Sequence, residues 1–158
     1  MSEPADLAEK LDSEGERFLA VFRGLTAAQW NSEVYTEGEV WTIRDVLSHF
    51  VSSERGLLKL FQEIRLGGVG IPDDFSIDQY NASQQGKTRE LKPSELLEQL
   101  KIVRAETVAW VSGLDESELE ITGSHPFLGK TTLREMIKMV YVHNQIHYRD
   151  LRKKLIQI

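Results

Sequence analysis

The sequence contains no cysteine among its 158 residues. This absence excludes disulfide bonds, thiolate zinc sites and a cysteine nucleophile together, and it agrees with a reducing compartment. Long apolar runs are also missing, because no stretch approaches the ~18 apolar residues that a membrane-spanning helix needs. The first residues are acidic and lead into no apolar segment, so we expect no signal peptide and a cytoplasmic location.

An excess of positive charge is likewise missing from this chain. Lys and Arg number 19 against 25 Asp and Glu, which gives a formal net charge of -6. This balance argues against nucleic acid or an anionic membrane as a partner. Apolar residues make up 41% of the chain and charged residues 28%, as in ordinary globular proteins. At this length we expect a single domain over residues 1–158 with a core that needs no cross-links.

Apolar residues recur at helical spacing in four long segments, and the signals for helix ends bound them. The predicted helices run from about residue 4 to Gly24, from the N-cap Thr42 to the glycine cluster 67–70, from Pro93 to Gly113, and from Thr132 to the end. Thr132 and Glu135 have the spacing of a capping box. No segment shows the alternation of a strand, so the sequence predicts an all-α four-helix bundle.

The segments between the predicted helices are long. We expect one short turn after Thr26, one helical turn over residues 77–84 and a short capped turn over residues 115–119, with irregular structure elsewhere in these connections, residues 121–130 included. Connections of this length exceed simple hairpins between neighbouring helices. At least one of them is expected to carry a helix across the bundle or to form the rim of a pocket.

Two of the four histidines, His143 and His147, lie four residues apart in the last predicted helix. This step is just over one helical turn, so both side chains leave the same face. They continue an apolar stripe formed by Leu133, Met136, Val140 and Leu151. Two imidazoles presented in this way can bind one metal ion, although a buried histidine satisfied by a hydrogen bond is the common alternative.

A third histidine, His49, lies at the edge of the apolar face of the second helix, with Ser53 one turn beyond it. A bundle can bring this face against His143 and His147. Three neutral imidazoles with one open position form the ligand set of a catalytic zinc or a similar divalent ion. The sequence therefore predicts a metal site made by these histidines, with Ser53 either lining a pocket beside it or serving as a small packing residue.

The remaining candidates for chemistry are weaker. His125 lies in a predicted loop, where we expect an exposed side chain, with the rim of the pocket as the alternative. In the His-Glu-x-x-His protease signature a Glu follows the first His, but Asn144 occupies that position here. Asp45 and Glu54 are near enough to His49 to be considered as a general base, and we expect both to be solvated carboxylates. No catalytic residue is assigned.

With these residues in view, the chain resembles the DinB-like superfamily over nearly its whole length. The resemblance rests on the segments 41–49, 75–81, 125–129 and 143–147. It implies a four-helix bundle of up-down-down-up course and a divalent metal, most often zinc or nickel, bound by His49, His143 and His147. Many members of the family form dimers, so a homodimer is implied as well. Characterised relatives include bacillithiol- and mycothiol-dependent S-transferases and a mycothiol-dependent isomerase.

Three functions remain open from the sequence. The first is a metal-dependent enzyme acting on a small molecule, with thiol S-transfer using a low-molecular-weight thiol preferred over hydrolysis. The second is a metalloprotein that sequesters a small molecule without turnover. The third is a bundle with a purely structural metal, in which a fourth protein ligand would fill the coordination sphere.

Overall fold

The computed structural model describes residues 1–157, and helices account for most of them. The four long helices are α1 (Glu3–Phe22), α3 (Ile43–Arg65), α5 (Pro93–Ser112) and α6 (Leu133–Gln157). Two shorter ones are α2 (Ala27–Trp30) and α4 (Ile77–Thr88), and a 3-10 helix covers Glu116–Glu120. Within this part of the chain, every helix is too short or too polar to cross a bilayer.

The helices that carry the histidines begin at the predicted caps. Thr42 Oγ1 accepts a hydrogen bond from the Asp45 backbone, and the Asp45 carboxylate accepts one from the Thr42 backbone, so α3 opens with a complete capping box. Thr132 Oγ1 accepts from the backbone of Glu135 at the start of α6. The predicted capping box there is only half formed, since the Glu135 carboxylate pairs with Lys138.

The order of the helices around the bundle follows from their contacts. Helices α1 and α3 each pack against α5 and α6. Phe18, near the end of α1, shares a core cluster with Leu96 at the start of α5 and with Leu151 near the end of α6. Helix α1 therefore runs antiparallel to α5 and parallel to α6.

The second pair of helices completes the topology. Val46 and Leu96, near the starts of α3 and α5, share one core cluster. Phe61 and Val111, near the ends of the same helices, share the other. Helices α3 and α5 are therefore parallel, and the predicted up-down-down-up course of the four-helix bundle is confirmed.

The connections contain more regular structure than the sequence predicted. Glu33–Tyr35 (β1) pairs antiparallel with Trp41–Thr42 (β2), and Thr122–His125 (β3) pairs antiparallel with Gly129–Thr132 (β4). The expectation of no strands was wrong, because strands of two to four residues are too short for alternation to be visible. Both hairpins lead directly into a helix that carries histidines of the candidate site.

The connection between α3 and α5 was also underpredicted. We expected one helical turn over residues 77–84, whereas α4 extends over twelve residues to Thr88. None of its residues is buried, so the helix has no apolar stripe for a periodicity argument to detect. It lies across α3 and forms one wall of the cavity described below.

Candidate metal centre

His49 of α3 and His143 and His147 of α6 converge at the face between these two antiparallel helices. The Nε2 atom of His143 lies 3.3 Å from Nε2 of His49 and 3.1 Å from Nε2 of His147. The potential ligand atoms of the three residues all lie within 4.8 Å of one another. Helix packing therefore brings together the three histidines that the sequence selected.

The spacing of the three nitrogens suits one metal ion. Zinc–nitrogen bonds of about 2.05 Å in a tetrahedral centre separate neighbouring ligand nitrogens by about 3.3 Å. The two separations that involve His143 are 3.1 and 3.3 Å, close to this value. A three-imidazole donor set suits zinc, nickel and other borderline divalent ions. The residues present thus fit the metal that the family resemblance implies.

The position of the pair on α6 differs from the predicted stripe. The buried line of this helix runs through Met136, Val140, Asn144 and Leu151, and His143 and His147 lie partly exposed beside it. They are therefore at the border between core and solvent, where a small molecule can approach. The helix buries Asn144 instead, for a polar network described below.

Aromatic rings pack against the histidines. The Trp41 ring centroid lies 4.9 Å from that of His49, and the Phe50 ring lies 5.0 Å from His143 and 5.1 Å from His147. Burial lowers the pKa of His49 to about 3, and the neighbouring histidines contribute to this shift. Burial and His147 lower the pKa of His143 to about 3. The imidazoles are therefore neutral at pH 7, the form that binds metal.

Tyr35 of β1 determines which nitrogen of His147 carries hydrogen. Its Oη lies 2.7 Å from His147 Nδ1 and donates to Asp150 Oδ2 at 2.7 Å. Burial and the bond to Asp150 raise the pKa of Tyr35 well above its usual value, so the hydroxyl keeps its hydrogen. That hydrogen goes to Asp150, so Tyr35 accepts from Nδ1–H of His147. The lone pair of His147 is then on Nε2, facing the other two histidines.

Sequence reasoning missed both partners of His147. Asp150 follows it by three residues on the same helix, a spacing that predicts a shared face and could have been noticed. Tyr35 is separated from it by 112 residues, and no local pattern connects the two. A histidine that binds metal through one ring nitrogen usually donates a hydrogen bond from the other. The contacts of His147 with Tyr35, and through it with Asp150, therefore support a ligand role for His147.

The carboxylates of Glu54 and Asp45 both accept hydrogen bonds from other groups of the protein. The expectation that they are solvated was wrong for Glu54, which is buried. Glu54 is 3% exposed and forms a two-bond ion pair with Arg104 at 2.6 and 2.9 Å. Arg104 also donates to Asn144 Oδ1 at 2.6 Å. The Asp45 carboxylate accepts from the Thr42 backbone N–H in the capping box of α3, so Asp45 has a structural role. Neither carboxylate is free to act as a general base beside His49.

A small apolar cavity adjoins the histidines. It has a volume of about 110 Å³, and His49 and His143 form part of its wall. Ser53 lines it too and places its Oγ 3.3 Å from Nδ1 of His49. The other residues of the lining are mostly apolar and come from α3, the loop between α3 and α4, α4, the β3–β4 hairpin and α6. They include Leu57, Leu60, Ile71, Phe75 and Met139.

His125 lies in the wall of this cavity and is 3% exposed. The expectation of an exposed loop residue was wrong, because the β3–β4 hairpin folds back onto the bundle. Ser124 holds it there: its backbone N–H donates to Val69 and its carbonyl accepts from Ile71, both at 2.9 Å. These backbone bonds to a distant loop could not be predicted from the local sequence.

A second, open groove of about 1080 Å³ meets the same histidines. His49 and His143 line both spaces, whereas His147 and Tyr35 line the groove. The groove is more polar, with the carboxylates Glu37, Glu39 and Asp78 in its walls. The three histidines therefore lie at the junction of an apolar pocket and an open groove that carries carboxylates.

Comparisons with known proteins agree with this fold. The family model of the DinB superfamily matches residues 10–151, a range that includes every histidine discussed above. YfiT from Bacillus subtilis, described as a probable metal-dependent hydrolase with an unusual four-helix bundle topology, superposes with a TM-score of 0.79 at 16% identity. The superposition covers 99% of this chain and 89% of YfiT. No curated protein matches the sequence.

Two further structures share the architecture. The colibactin self-resistance protein ClbS, solved in complex with double-stranded DNA, has a TM-score of 0.73 at 16% identity, covering 97% of each chain. The mycothiol-dependent maleylpyruvate isomerase has a TM-score of 0.72 at 19% identity. The match covers 94% of this chain and spans 59% of the isomerase. At these identities the likeness shows a common fold.

Proposed function

The chain belongs to the DinB superfamily, and from this premise we propose that it is a metal-dependent enzyme that transfers a low-molecular-weight thiol to a small apolar electrophile. His49, His143 and His147 hold the metal, with zinc or nickel as the preferred ion. The main support for the proposal is that these three histidines lie together where the apolar cavity meets the open groove.

A catalytic role is supported over a structural one by the number of ligands. Structural zinc sites usually have four protein ligands, whereas catalytic sites have three and an open position. Across residues 1–157, the histidines form a group of three. Two further candidates for a fourth ligand have other partners: Nδ1 of His125 accepts from the backbone of its own turn, and Glu54 is paired with Arg104. A divalent ion bound here would supply an acidified thiol or water as nucleophile near neutral pH.

The two spaces that meet at the histidines support a transfer between two substrates. The cavity suits the apolar part of an electrophile, and the groove has room for a larger, more polar thiol. Simple sequestration needs one binding space. The mycothiol-dependent maleylpyruvate isomerase, which shares the fold, is thiol-dependent by its name, and this agrees with the preference.

Hydrolysis is the second candidate, and YfiT, described as a probable metal-dependent hydrolase, favours it. Among the described residues, no Asp or Glu lines the cavity, and the carboxylates that could serve as a base for water, Glu37, Glu39 and Asp78, line the groove. The acidity of the nucleophile argues for a thiol instead. A thiol, with a reference pKa of ~8.5, needs less help from a base than water at ~15.7.

The proposal is tested by assaying zinc- and nickel-loaded protein with two substrate sets. One set pairs a thiol, such as bacillithiol, mycothiol or cysteine, with 1-chloro-2,4-dinitrobenzene, and the other uses p-nitrophenyl acetate without thiol. We expect about one ion per chain, since three imidazoles describe a mononuclear centre, and metal-dependent thiol consumption. The matched control is the double variant His143→Ala, His147→Ala, which should lose both metal and turnover.

Three results would contradict the proposal. Full metal content in the double variant would remove the three-histidine site. Metal-dependent ester cleavage without thiol transfer would favour the hydrolase, and tight binding of an electrophile without turnover would favour sequestration.

Several finer expectations belong to the same proposal. We expect a cytoplasmic protein that forms a homodimer, and sedimentation equilibrium tests the second point. The net charge of -6 argues against a nucleic-acid partner, whereas the ClbS structure contains double-stranded DNA. Titration with a labelled duplex at low and moderate salt therefore tests this prediction, because phosphate-driven binding weakens with salt.

A further inference from the structure

One buried polar group in the cavity wall has a hydrogen to donate and no acceptor. Nδ1 of His125 accepts from the backbone N–H groups of Phe127 and Leu128 at 3.1 and 3.2 Å. A neutral imidazole carries one hydrogen, so that hydrogen is on Nε2. Within residues 1–157, His125 Nε2 is the buried side-chain nitrogen or oxygen without a hydrogen-bond partner. Buried polar groups are normally paired, so an orphan calls for an explanation.

The hairpin is built to hold this ring in place. Pro126 opens the turn after β3, and Gly129 closes it with a φ of +69°, a conformation that favours glycine. Gly123 packs so closely on Ile64 that a Cβ there would lie 2.6 Å from the Ile64 side chain. The turn and the close approach to α3 fix His125 at the cavity without using its Nε2.

The other polar groups of the lining differ from His125 in their partners or in their position. Tyr80 donates its hydroxyl hydrogen to the Ser52 carbonyl at 3.1 Å. Ser53 Oγ lies 3.3 Å from Nδ1 of His49 and accepts from it when Nε2 of His49 is the metal ligand. Asn81 lines both the cavity and the groove, so it lies where the two spaces meet. Among residues 1–157, Nε2 of His125 is therefore the fully buried donor of this lining that has no partner.

We infer that His125 is the residue that recognises the substrate in the apolar cavity, by donating from Nε2 to a single acceptor such as a carbonyl oxygen. This inference deepens the proposed function and rests on it, because it names the class of electrophile: a small, neutral, apolar carbonyl compound. The described lining contains no Lys, Arg, Asp or Glu, so a charged guest would have no counter-ion.

Size and electrostatics agree with this class. The cavity, about 110 Å³, is somewhat smaller than the ~150 Å³ apolar cavity known to admit benzene, so it suits a ring or short chain. Burial lowers the pKa of His125 to about 4, so the ring stays neutral at physiological pH. A fixed neutral donor aimed at an oxygen also stabilises negative charge that develops there during attack on the adjacent carbon.

Two substitutions separate the functions of the two ring nitrogens. His125→Asn keeps an acceptor near the Nδ1 position for the turn and loses the donor. His125→Gln places an amide N–H near the Nε2 position and loses the turn acceptor. Asn81→Ala removes the other amide and serves as the matched control. The probes are cyclopentanone and methylenecyclopentane, which share a shape and differ in the acceptor.

The measurement is the ratio of the two dissociation constants, obtained by NMR titration of metal-free and of zinc-loaded protein. We expect His125→Asn to reduce the preference for the ketone by about fivefold to tenfold, the worth of one hydrogen bond. His125→Gln and Asn81→Ala should largely retain the preference. In wild-type protein labelled with ¹⁵N-histidine, the Nε2–H resonance of His125 should shift with the ketone and stay in place with the hydrocarbon.

An unchanged ratio in folded His125→Asn, or a loss in Asn81→Ala instead, would overturn the inference. Should His125→Asn not fold, the wild-type resonance decides alone: no shift with the ketone overturns it. Ketone preference that depends on His125 in a protein without thiol transfer would retain this inference and reject the proposed function. Thiol transfer with no role for His125 in ketone binding would retain the proposed function and reject this inference.

Discussion

The Tyr35 hydroxyl accepts a hydrogen bond from Nδ1 of His147, 112 residues away, and passes its own hydrogen to Asp150. Because a tyrosine has one hydrogen to give, this relationship determines the tautomer of His147. It turns the Nε2 lone pair toward His143. A residue of a small connecting hairpin thereby leaves Nε2 of a residue on the last bundle helix without hydrogen, the form that a metal ligand requires.

Replacement of Tyr35 should therefore weaken metal binding without removing a ligand. We expect Tyr35→Phe to reduce zinc affinity by about 10- to 100-fold, the usual effect of losing the partner of a ligating histidine. Competition with a chromogenic chelator measures this. Tyr141→Phe is the matched control, since Tyr141 is on α6 but packs against the other core cluster. Equal zinc affinity in Tyr35→Phe and wild-type protein would contradict the assigned tautomer.

The buried histidines predict that the metal-free protein loses stability in acid. Burial lowers the pKa to about 3 for His49 and His143 and to about 4 for His125, and it lowers that of His147. Unfolded histidines have a pKa of ~6.5, so between that pH and the folded values the unfolded chain binds more protons. Stability is then fully present above about pH 6.5 and falls as pH decreases.

Urea unfolding of metal-free protein from pH 7.5 to pH 4.5 measures this loss. Each histidine that takes up a proton on unfolding contributes a slope of about 1.4 kcal/mol per pH unit. The variant His125→Asn lacks one such group, so its slope near pH 5 should be smaller by about that amount. A slope identical to that of the wild type would show that His125 is not held neutral by the fold.

Ser53 should control access to the metal from the cavity. The cavity holds about 110 Å³, so Ser53→Phe would fill most of it while leaving the three histidines in place. We expect unchanged metal content and loss of cyclopentanone binding, whereas azide should still reach the cobalt-substituted centre through the open groove. Ser53→Ala, which removes the hydroxyl without filling the space, should bind cyclopentanone normally.

The alternative role of Ser53 as a packing residue gives the opposite result. Overfilling of a packed core costs roughly 1–3 kcal/mol. An unchanged cyclopentanone titration in Ser53→Phe, beside a clear fall in melting temperature, would assign the residue to packing and remove it from the pocket.

The ion pair between Arg104 and Glu54 supports the helices behind the histidines. Both side chains are almost fully buried, and Arg104 links α5 to Glu54 of α3, Asn144 of α6 and the Leu11 carbonyl of α1. Arg104→Met leaves the carboxylate buried without a partner, at a cost of about 3–5 kcal/mol. The double variant Arg104→Met, Glu54→Leu should recover much of this loss in urea unfolding. If the single variant is as stable as wild type, the pair does not hold the bundle.

Much of the fold could be predicted because its signals are local. Capping residues such as Thr42, the proline at 93 and the glycines after residue 66 act on backbone within one turn, so helix bounds were recovered to within a few residues. The spacing of His143 and His147 likewise places both on one face without reference to the rest of the chain. Helix α4 and the two hairpins were missed since they are exposed or very short.

The sequence by itself determined four amphipathic helices and a set of histidines on two of them, because helix formation depends on neighbours three and four residues apart. The tertiary structure alone decided the rest. It buried His125 against the bundle within the β3–β4 hairpin. It also paired Glu54 with Arg104, 50 residues away, and Tyr35 with His147, 112 residues away. Apolar burial, which drives the chain together, has no direction of its own, so these partners follow from packing and leave no local pattern.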